Sequence, residues 1–150
     1  MIRFLLDTTI VSAFAPGKPI VEAAVAQWFQ TCAHQLSISA VTVMEIESGI
    51  RQYARRGSPQ RVANLSAWLA EVMVDFRDRV LPFNEQVALK AGRLEALALG
   101  RGHSPGLADI IIAAIGEFHN LTVLTQNLRH FQPLGIPSLN PFLERPEVAP

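Results

Sequence analysis

Short apolar runs alternate with longer segments of helical spacing along this chain. The runs are too short for helices and end at polar or turn residues, which is typical of buried parallel strands. They lie at 2–6, 36–39, 79–82, 121–125 and, as a possible fifth strand, 137–139. The segments between them show helical periodicity or helix-start signals. These predict helices at 8–14, 20–33, 42–55, 59–76, 84–99 and 108–118. The alternation predicts an α/β domain with a mostly parallel sheet of four to five strands, flanked by helices.

Several helix starts carry recognisable capping signals. Ser58-Pro59 and Ser104-Pro105 each place a serine at the N-cap and a proline at the first helical position. Thr42-x-x-Glu45 matches a capping box, in which the glutamate bonds back to the backbone of Thr42. Asp7 directly precedes a predicted short helix and is a candidate N-cap.

Length and composition narrow the class of protein. A chain of 150 residues with 49% hydrophobic and 17% charged residues is long and apolar enough for one folded domain. Cys32 is the only cysteine, so an internal disulfide and a cysteine-rich zinc site are excluded. No apolar run approaches the ~20 residues of a membrane span, and the start lacks the features of a signal peptide, so we expect a cytoplasmic protein without a membrane segment.

The net charge and the mean hydropathy bear on which partners the chain could bind. Lysine plus arginine and aspartate plus glutamate are both 13, so any nucleic-acid binding must come from a local patch rather than from bulk charge. The mean hydropathy of +0.23 is high for a monomer. It suggests apolar surface covered by a partner or by a second copy of the chain.

Three carboxylates occupy unusual positions. Asp7 follows the first buried strand, where capping and a functional role are about equally favoured. Glu45 fits its capping box, and this reading is preferred when it is considered alone. Asp109 lies in the almost entirely apolar segment 107–116, where a charge is costly unless something pairs with it. A cation would explain its presence.

The predicted sheet permits these side chains to meet. Sites of parallel sheets lie outside the carboxyl ends of the strands, and both Asp7 and the Gln126-Asn127 pair fall at that edge. Three carboxylates with nearby hydroxyl and amide oxygens suit a hard ion such as Mg²⁺ or Mn²⁺. Spacing alone does not bring the three together.

Five segments, taken together, resemble a known family. They are 5–12 (LLDTTIVS), 37–50 (SISAVTVMEIESGI), 108–114 (ADIIIAA), 124–131 (LTQNLRHF) and 139–142 (LNPF). Their order and spacing resemble the PIN-domain family, specifically the VapC/FitB-like toxins of bacterial toxin–antitoxin pairs. The resemblance spans residues 2–142, which gives a PIN-like nuclease domain at 1–142 and a C-terminal tail at 143–150.

The resemblance implies a five-stranded parallel sheet and a metal-dependent endoribonuclease. It implies that Asp7, Glu45 and Asp109 hold Mg²⁺ or Mn²⁺. It also implies a homodimer and a small antitoxin protein that occupies the active-site groove, with a larger toxin–antitoxin assembly on DNA as a further expectation. Two departures from the family pattern stand out: Thr9 replaces the usual asparagine, and Asn127 and His130 stand where many members have an acid.

Further residues are assigned supporting roles. Thr8, Ser12, Thr125 and Asn127 are expected to orient the carboxylates or a water molecule. RNA phosphates need positive charge, and the candidate contacts are Arg51, Arg55, Arg129 and His130.

Other functions remain as alternatives. The main one is a catalytically weak PIN module that acts through antitoxin and DNA binding. A nuclease acting on single-stranded DNA or a flap is another. A haloacid-dehalogenase-type phosphatase is excluded because it needs a second aspartate at the position of Thr9, and a glycine-rich dinucleotide or Walker loop is absent.

Overall fold

A five-stranded parallel sheet is the centre of the structure, a computed structural model that describes residues 3–148. The strands are β1 (Phe4–Leu6), β2 (Leu36–Ser39), β3 (Val80–Leu81), β4 (Thr122–Leu124) and β5 (Ser138–Leu139), in the spatial order β3-β2-β1-β4-β5. This confirms the predicted α/β fold and its fifth strand. Ile2 of the predicted first strand, and Ala149 and Pro150 of the predicted tail, lie outside the described residues.

The strand register brings three strand ends level with one another. Leu6, the last residue of β1, pairs with Ile38 on one side and with Leu124 on the other. Asp7 continues this ladder, since its N–H donates to the Leu124 carbonyl at 2.9 Å. The residues that follow these three strands therefore share one edge of the sheet.

Seven helices connect and cover the strands in the described part of the chain. They are α1 (Thr8–Ala13), α2 (Ala23–Thr31), α3 (Ala40–Arg55), α4 (Pro59–Phe76), α5 (Glu85–Gly100), α6 (Leu107–Phe118) and α7 (Leu128–Phe131). Short 3-10 turns lie at Ala33–Gln35, Arg77–Arg79 and Gln132–Leu134. The helix predicted from residue 20 begins only at Ala23, because the apolar stripe that packs inward starts with Val25; Ile20 is fully exposed.

The side chains of β1 alternate between two cores. Leu5 packs with α5 and α6, whereas Phe4 and Leu6 pack with α1, α2 and α4. Helix α6 packs against β1 and β4, and its residues 110–116 are all buried. Gly116 permits this approach, because a Cβ at this position would lie 3.0 Å from Val123 Cγ2.

Two of the predicted caps are wrong. Helix α3 begins at Ala40, and its N-cap is Ser39, whose Oγ accepts a 2.9 Å hydrogen bond from the N–H of Thr42. Thr42 is therefore not the N-cap residue of a capping box. The Glu45 side chain is available for a different contact. Helix α6 begins after Gly106 rather than at Ser104-Pro105, and no side chain caps it.

Other predicted starts are confirmed. Asp7 is the N-cap of α1, and its Oδ1 accepts from the N–H of Thr8 at 2.8 Å. Pro59 opens α4 after Ser58, although the serine side chain makes no capping bond.

The beginning of the tail packs against the domain. The indole N–H of Trp28 donates to the Pro146 carbonyl at 3.0 Å, and Val148 contacts the core on the α2 side. Within residues 3–148, no helix has the length and apolar content needed to cross a membrane.

Candidate active site

Asp7 is the centre of a polar cluster at the carboxyl edge of the sheet. It is 3% exposed and its carboxylate accepts three hydrogen bonds. The Thr8 N–H donates to Oδ1 at 2.8 Å, while the hydroxyls of Thr9 and Thr125 donate to Oδ2 at 2.7 and 2.8 Å. A carboxylate has about four acceptor positions, so one remains for another ligand.

Residues after β4 complete the support of Asp7. The Thr125 hydroxyl accepts from the N–H of Asn127 at 2.9 Å, and the Thr9 hydroxyl accepts from the N–H of Gln126 at 3.1 Å. The Gln126 side chain also donates to the Thr9 carbonyl at 3.2 Å. The loop after β4 is thus tied to the start of α1 on both sides of Asp7.

A chain of hydroxyl groups leads to Glu45. Thr8 Oγ1 lies 2.6 Å from Glu45 Oε1 and 3.1 Å from Thr42 Oγ1, which lies 3.1 Å from Ser39 Oγ. Each hydroxyl has one proton, so the consistent direction runs from Ser39 through Thr42 and Thr8 to the carboxylate. Ser39 and Thr42 are fully buried. This relay fixes Glu45 Oε1, while Oε2 has no hydrogen-bond partner among residues 3–148 and can accept from a ligand.

The third carboxylate, Asp109, is held by a histidine of α7. His130 Nδ1 lies 2.8 Å from Asp109 Oδ2, and this half-buried contact joins α6 to α7. Because a carboxylate only accepts, Nδ1 carries the proton. Oδ1 of Asp109 has no such partner among the described residues.

The charge of a neighbouring carboxylate contributes to a raised pKa of both Glu45 and Asp109. Burial raises the pKa of Glu45; the Thr8 hydrogen bond opposes this, and the charges of Asp7 and Asp109 add to it. Burial also raises the pKa of Asp109, the His130 hydrogen bond lowers it, and the charge of Asp7 raises it further. Repulsion between these negative charges disfavours the ionised carboxylates, and a bound cation would offset it.

The donor set fits a hard divalent cation in its chemistry. Each of the three carboxylates retains acceptor capacity, and oxygen ligands are those that Mg²⁺ and Mn²⁺ prefer. Their side chains do not form a ready-made cage: among residues 3–148, no three histidine, cysteine or acidic side chains are grouped closely enough to hold an ion by themselves. An ion here would take part of its coordination from water or substrate.

The predicted supporting residues fall into two groups. Thr8, Thr125 and Asn127 belong to the hydrogen-bond network, Asn127 through its backbone. Ser12 lines the clefts beside the site, one of them shared with Thr8 and Glu45. Thr9, Thr42 and Gln126 are further members of the hydrogen-bond network that the sequence does not predict as supporting residues.

The predicted RNA contacts are scattered. Arg51 pairs with Glu47 at 2.8 Å on α3, and Arg55 is exposed in the last turn of that helix. Arg129 is exposed and lines a cleft of about 190 Å³ with His130. His130 itself contacts the Asp109 carboxylate. Of these four residues, only Arg129 and His130 line a cleft next to one of the carboxylates.

Comparison with known proteins identifies the class. Residues 4–134 match the family described as PIN domain. The chain belongs to the PIN-domain family. Its relatives include Toxin FitB of Neisseria gonorrhoeae, 29% identical over 139 residues that make up 92% of this chain and 97% of FitB.

Two further similarities concern VapC and its complexes. The tRNA(fMet)-specific endonuclease VapC of Shigella flexneri is 30% identical over 135 residues, which are 90% of this chain and 94% of that protein. The DNA-bound VapBC crystal structure from Salmonella typhimurium has a TM-score of 0.76 at 26% identity, covering 94% of this chain and 99% of that one. The crystal structure of FitAcB from Neisseria gonorrhoeae gives 0.80 at 29% identity, covering 93% and 98%. The resemblance to VapC/FitB-like toxins is therefore confirmed.

Proposed function

We propose that this chain is a Mg²⁺- or Mn²⁺-dependent endoribonuclease and the toxin of a toxin–antitoxin pair. The observation that carries the proposal is the placement of Asp7, Glu45 and Asp109, from three distant segments, near enough that the charges of Asp7 and Asp109 raise the pKa of Glu45 and the charge of Asp7 raises that of Asp109. Among the described residues His130 contacts only Oδ2 of Asp109, so Oδ1 is left to coordinate an ion. The name of the VapC relative supports RNA, and tRNA in particular, as the substrate class.

In this mechanism the protein supplies position and charge. Asp7, Glu45 and Asp109 would hold the ion, which would supply Lewis-acid stabilisation of the negative charge on the scissile phosphodiester. Asp7 is kept rigid by its three donors, and His130 holds Asp109. No atom of the described residues hydrogen-bonds Glu45 Oε2, so this oxygen can accept a proton from the water that attacks phosphorus.

The proposed partners follow from the relatives. FitAcB and DNA-bound VapBC are complexes, which supports a small antitoxin partner and an assembly on DNA for this chain. Exposed apolar side chains such as Met44, Leu89 and Leu97 support a homodimer or antitoxin contact. As part of this proposal, the protein acts in the cytoplasm. The alternative of a catalytically weak binding module is less well supported, because it gives no role to the acceptor capacity that the three carboxylates retain.

The direct test is RNA cleavage by the antitoxin-free protein. Total RNA and purified tRNA are incubated with Mg²⁺, with Mn²⁺ and with EDTA, beside the variants Asp7→Asn and Asp109→Asn. We expect discrete metal-dependent cuts that both variants lose while their circular dichroism stays native. Cleavage by either variant at the wild-type rate would refute the assignment. If folded wild-type protein leaves RNA intact with both metals, the binding-module alternative is favoured.

A further inference from the structure

A second cleft opens next to Glu45 and contains Arg61, which has no carboxylate of residues 3–148 within ion-pair distance. This arginine cleft, of about 230 Å³, lies between α1, α3 and α4. Its walls include Thr8 and Glu45 of the candidate active site, together with Lys18, Tyr53 and Arg61. A ligand that occupies the carboxylate site therefore has a direct route into it.

Arg61 is held in place without being neutralised. Its Cζ lies 4.5 Å from the centre of the Tyr53 ring, a cation–π contact that orients the guanidinium. Its Nε is buried, and no atom of residues 3–148 accepts a hydrogen bond from it. In the same part of the chain, no carboxylate lies within ion-pair distance of Arg61 or Lys18. A half-buried guanidinium whose N–H donors are unused can bind the oxygens of an anion through charge-assisted hydrogen bonds.

The backbone near Arg61 is shaped to admit the guanidinium. Gly17 has φ +84°, a conformation that other residues rarely adopt. A Cβ at this position would lie 3.3 Å from Arg61 Nη1. The turn that carries Gly17 also carries Lys18, which is exposed and lines both this cleft and the wider one beside Thr9 and Asn127. The turn thus places a second positive charge beside the first.

We propose that Arg61 and Lys18 bind a phosphate of the RNA backbone next to the scissile one. The inference rests on the proposed ribonuclease function and adds a substrate-binding subsite to it. An acidic centre repels a polyanion, so cations at its border are needed for binding. RNA is favoured over an acidic protein segment because the cleft is lined by Glu45, one of the three carboxylates beside which the phosphodiester must lie.

The test separates binding from cleavage. RNA affinity is measured by fluorescence anisotropy with a labelled single-stranded RNA and inactive Asp7→Asn protein, from 50 to 300 mM salt, with Arg61→Gln or Lys18→Gln added. We expect about tenfold weaker binding for Arg61→Gln, in line with a lost charge-assisted hydrogen bond. The slope of log affinity against log salt should fall by about 0.7, the value for one phosphate contact on a single strand. Arg93→Gln, at an exposed arginine that lines none of the described clefts, is the matched control.

Cleavage by otherwise wild-type variants completes the test. Arg61→Gln should raise KM about tenfold while kcat at saturating RNA changes less than twofold. Lys18 is exposed, so Lys18→Gln should fold normally and show a smaller change in the same direction. Unchanged affinity and salt slope in both folded variants would overturn the subsite. Absence of all cleavage by the wild type would instead overturn the ribonuclease proposal, so the two failures are distinguishable.

Discussion

Thr8 and Glu45 are 37 residues apart in the chain and are joined by a hydrogen bond of 2.6 Å from Oγ1 to Oε1. The backbone N–H of Thr8 donates to Asp7 at 2.8 Å. One residue therefore fixes the orientation of two of the three carboxylates, one through its side chain and one through its backbone. Direct hydrogen bonds from Thr8 align both Asp7 and Glu45.

Removing the Thr8 hydroxyl tests this link. Thr8→Val keeps the volume and the backbone bond to Asp7, but frees Glu45 Oε1 and ends the hydroxyl relay. We expect kcat/KM for RNA cleavage to fall by about 10- to 100-fold, the usual effect of losing a group that orients a metal ligand. Thr8→Ser, which retains the hydroxyl, should stay near the wild type. Equal losses in both variants would point to packing instead.

The raised pKa of Glu45 predicts how stability depends on pH. A carboxyl whose pKa is higher in the folded than in the unfolded state makes the native protein bind more protons. Its charged form therefore destabilises the metal-free fold at neutral pH. This penalty is relieved as the pH falls through the folded pKa towards the unfolded value of about 4.3. Asp109 contributes in the same direction.

Glu45→Gln isolates this contribution. In EDTA at pH 7.5 the variant should have a higher Tm than the wild type, and the difference should shrink as the pH is lowered towards 5. Mg²⁺ should raise the Tm of the wild type more than that of the variant, since the ion offsets the same charge. Thermal melts at three pH values, with and without Mg²⁺, measure both effects. A variant less stable than the wild type at pH 7.5 in EDTA would contradict the prediction.

His130 is expected to act on the ion through Asp109. Its Nδ1 holds Asp109 Oδ2 at 2.8 Å and directs the carboxylate away from other rotamers. His130→Ala should weaken Mn²⁺ binding by about tenfold, as is typical when the outer partner of a ligand is removed. His130→Asn, whose amide N–H can replace Nδ1, should retain most of the affinity. Isothermal titration with Mn²⁺ gives this readout without relying on activity, and equal affinities for wild type and His130→Ala would refute it.

The sheet and its polar edge could be predicted, whereas several contacts could not. The short apolar runs and their polar ends are local features, so β1 and the position of Asp7 followed from the sequence. Thr42-x-x-Glu45 fits the local pattern of a capping box equally well, so the sequence alone favours a capping role for Glu45. Thr8 reaches Glu45 because β1 pairs with β2. This is a tertiary contact, which local sequence patterns do not reveal. The contact of His130 with Asp109 likewise depends on how α7 packs on α6.

Two glycines in helices should respond in opposite ways to substitution. Gly116 faces Val123, and a Cβ there would lie 3.0 Å from it, so Gly116→Val should lower the free energy of unfolding by about 1–3 kcal/mol. Gly92 lies in α5 with no atom near its Cβ position, so Gly92→Ala should raise it by about 0.5–1 kcal/mol. Urea unfolding measures both, and a stabilised Gly116→Val would show that α6 can move from the sheet.

The domain boundary proposed at residue 142 can be tested by truncation. Removing residues 143–150 should leave a folded domain, because the five strands and their covering helices all lie before it. It should also cost about 1–2 kcal/mol, since Trp28 loses its hydrogen bond to Pro146 and Val148 leaves the core surface. Trp28→Phe in the full-length chain, which lacks the indole N–H, should show a smaller loss. Urea unfolding followed by far-ultraviolet circular dichroism compares the three proteins. An unfolded truncation product would place residues 143–148 inside the domain rather than after it.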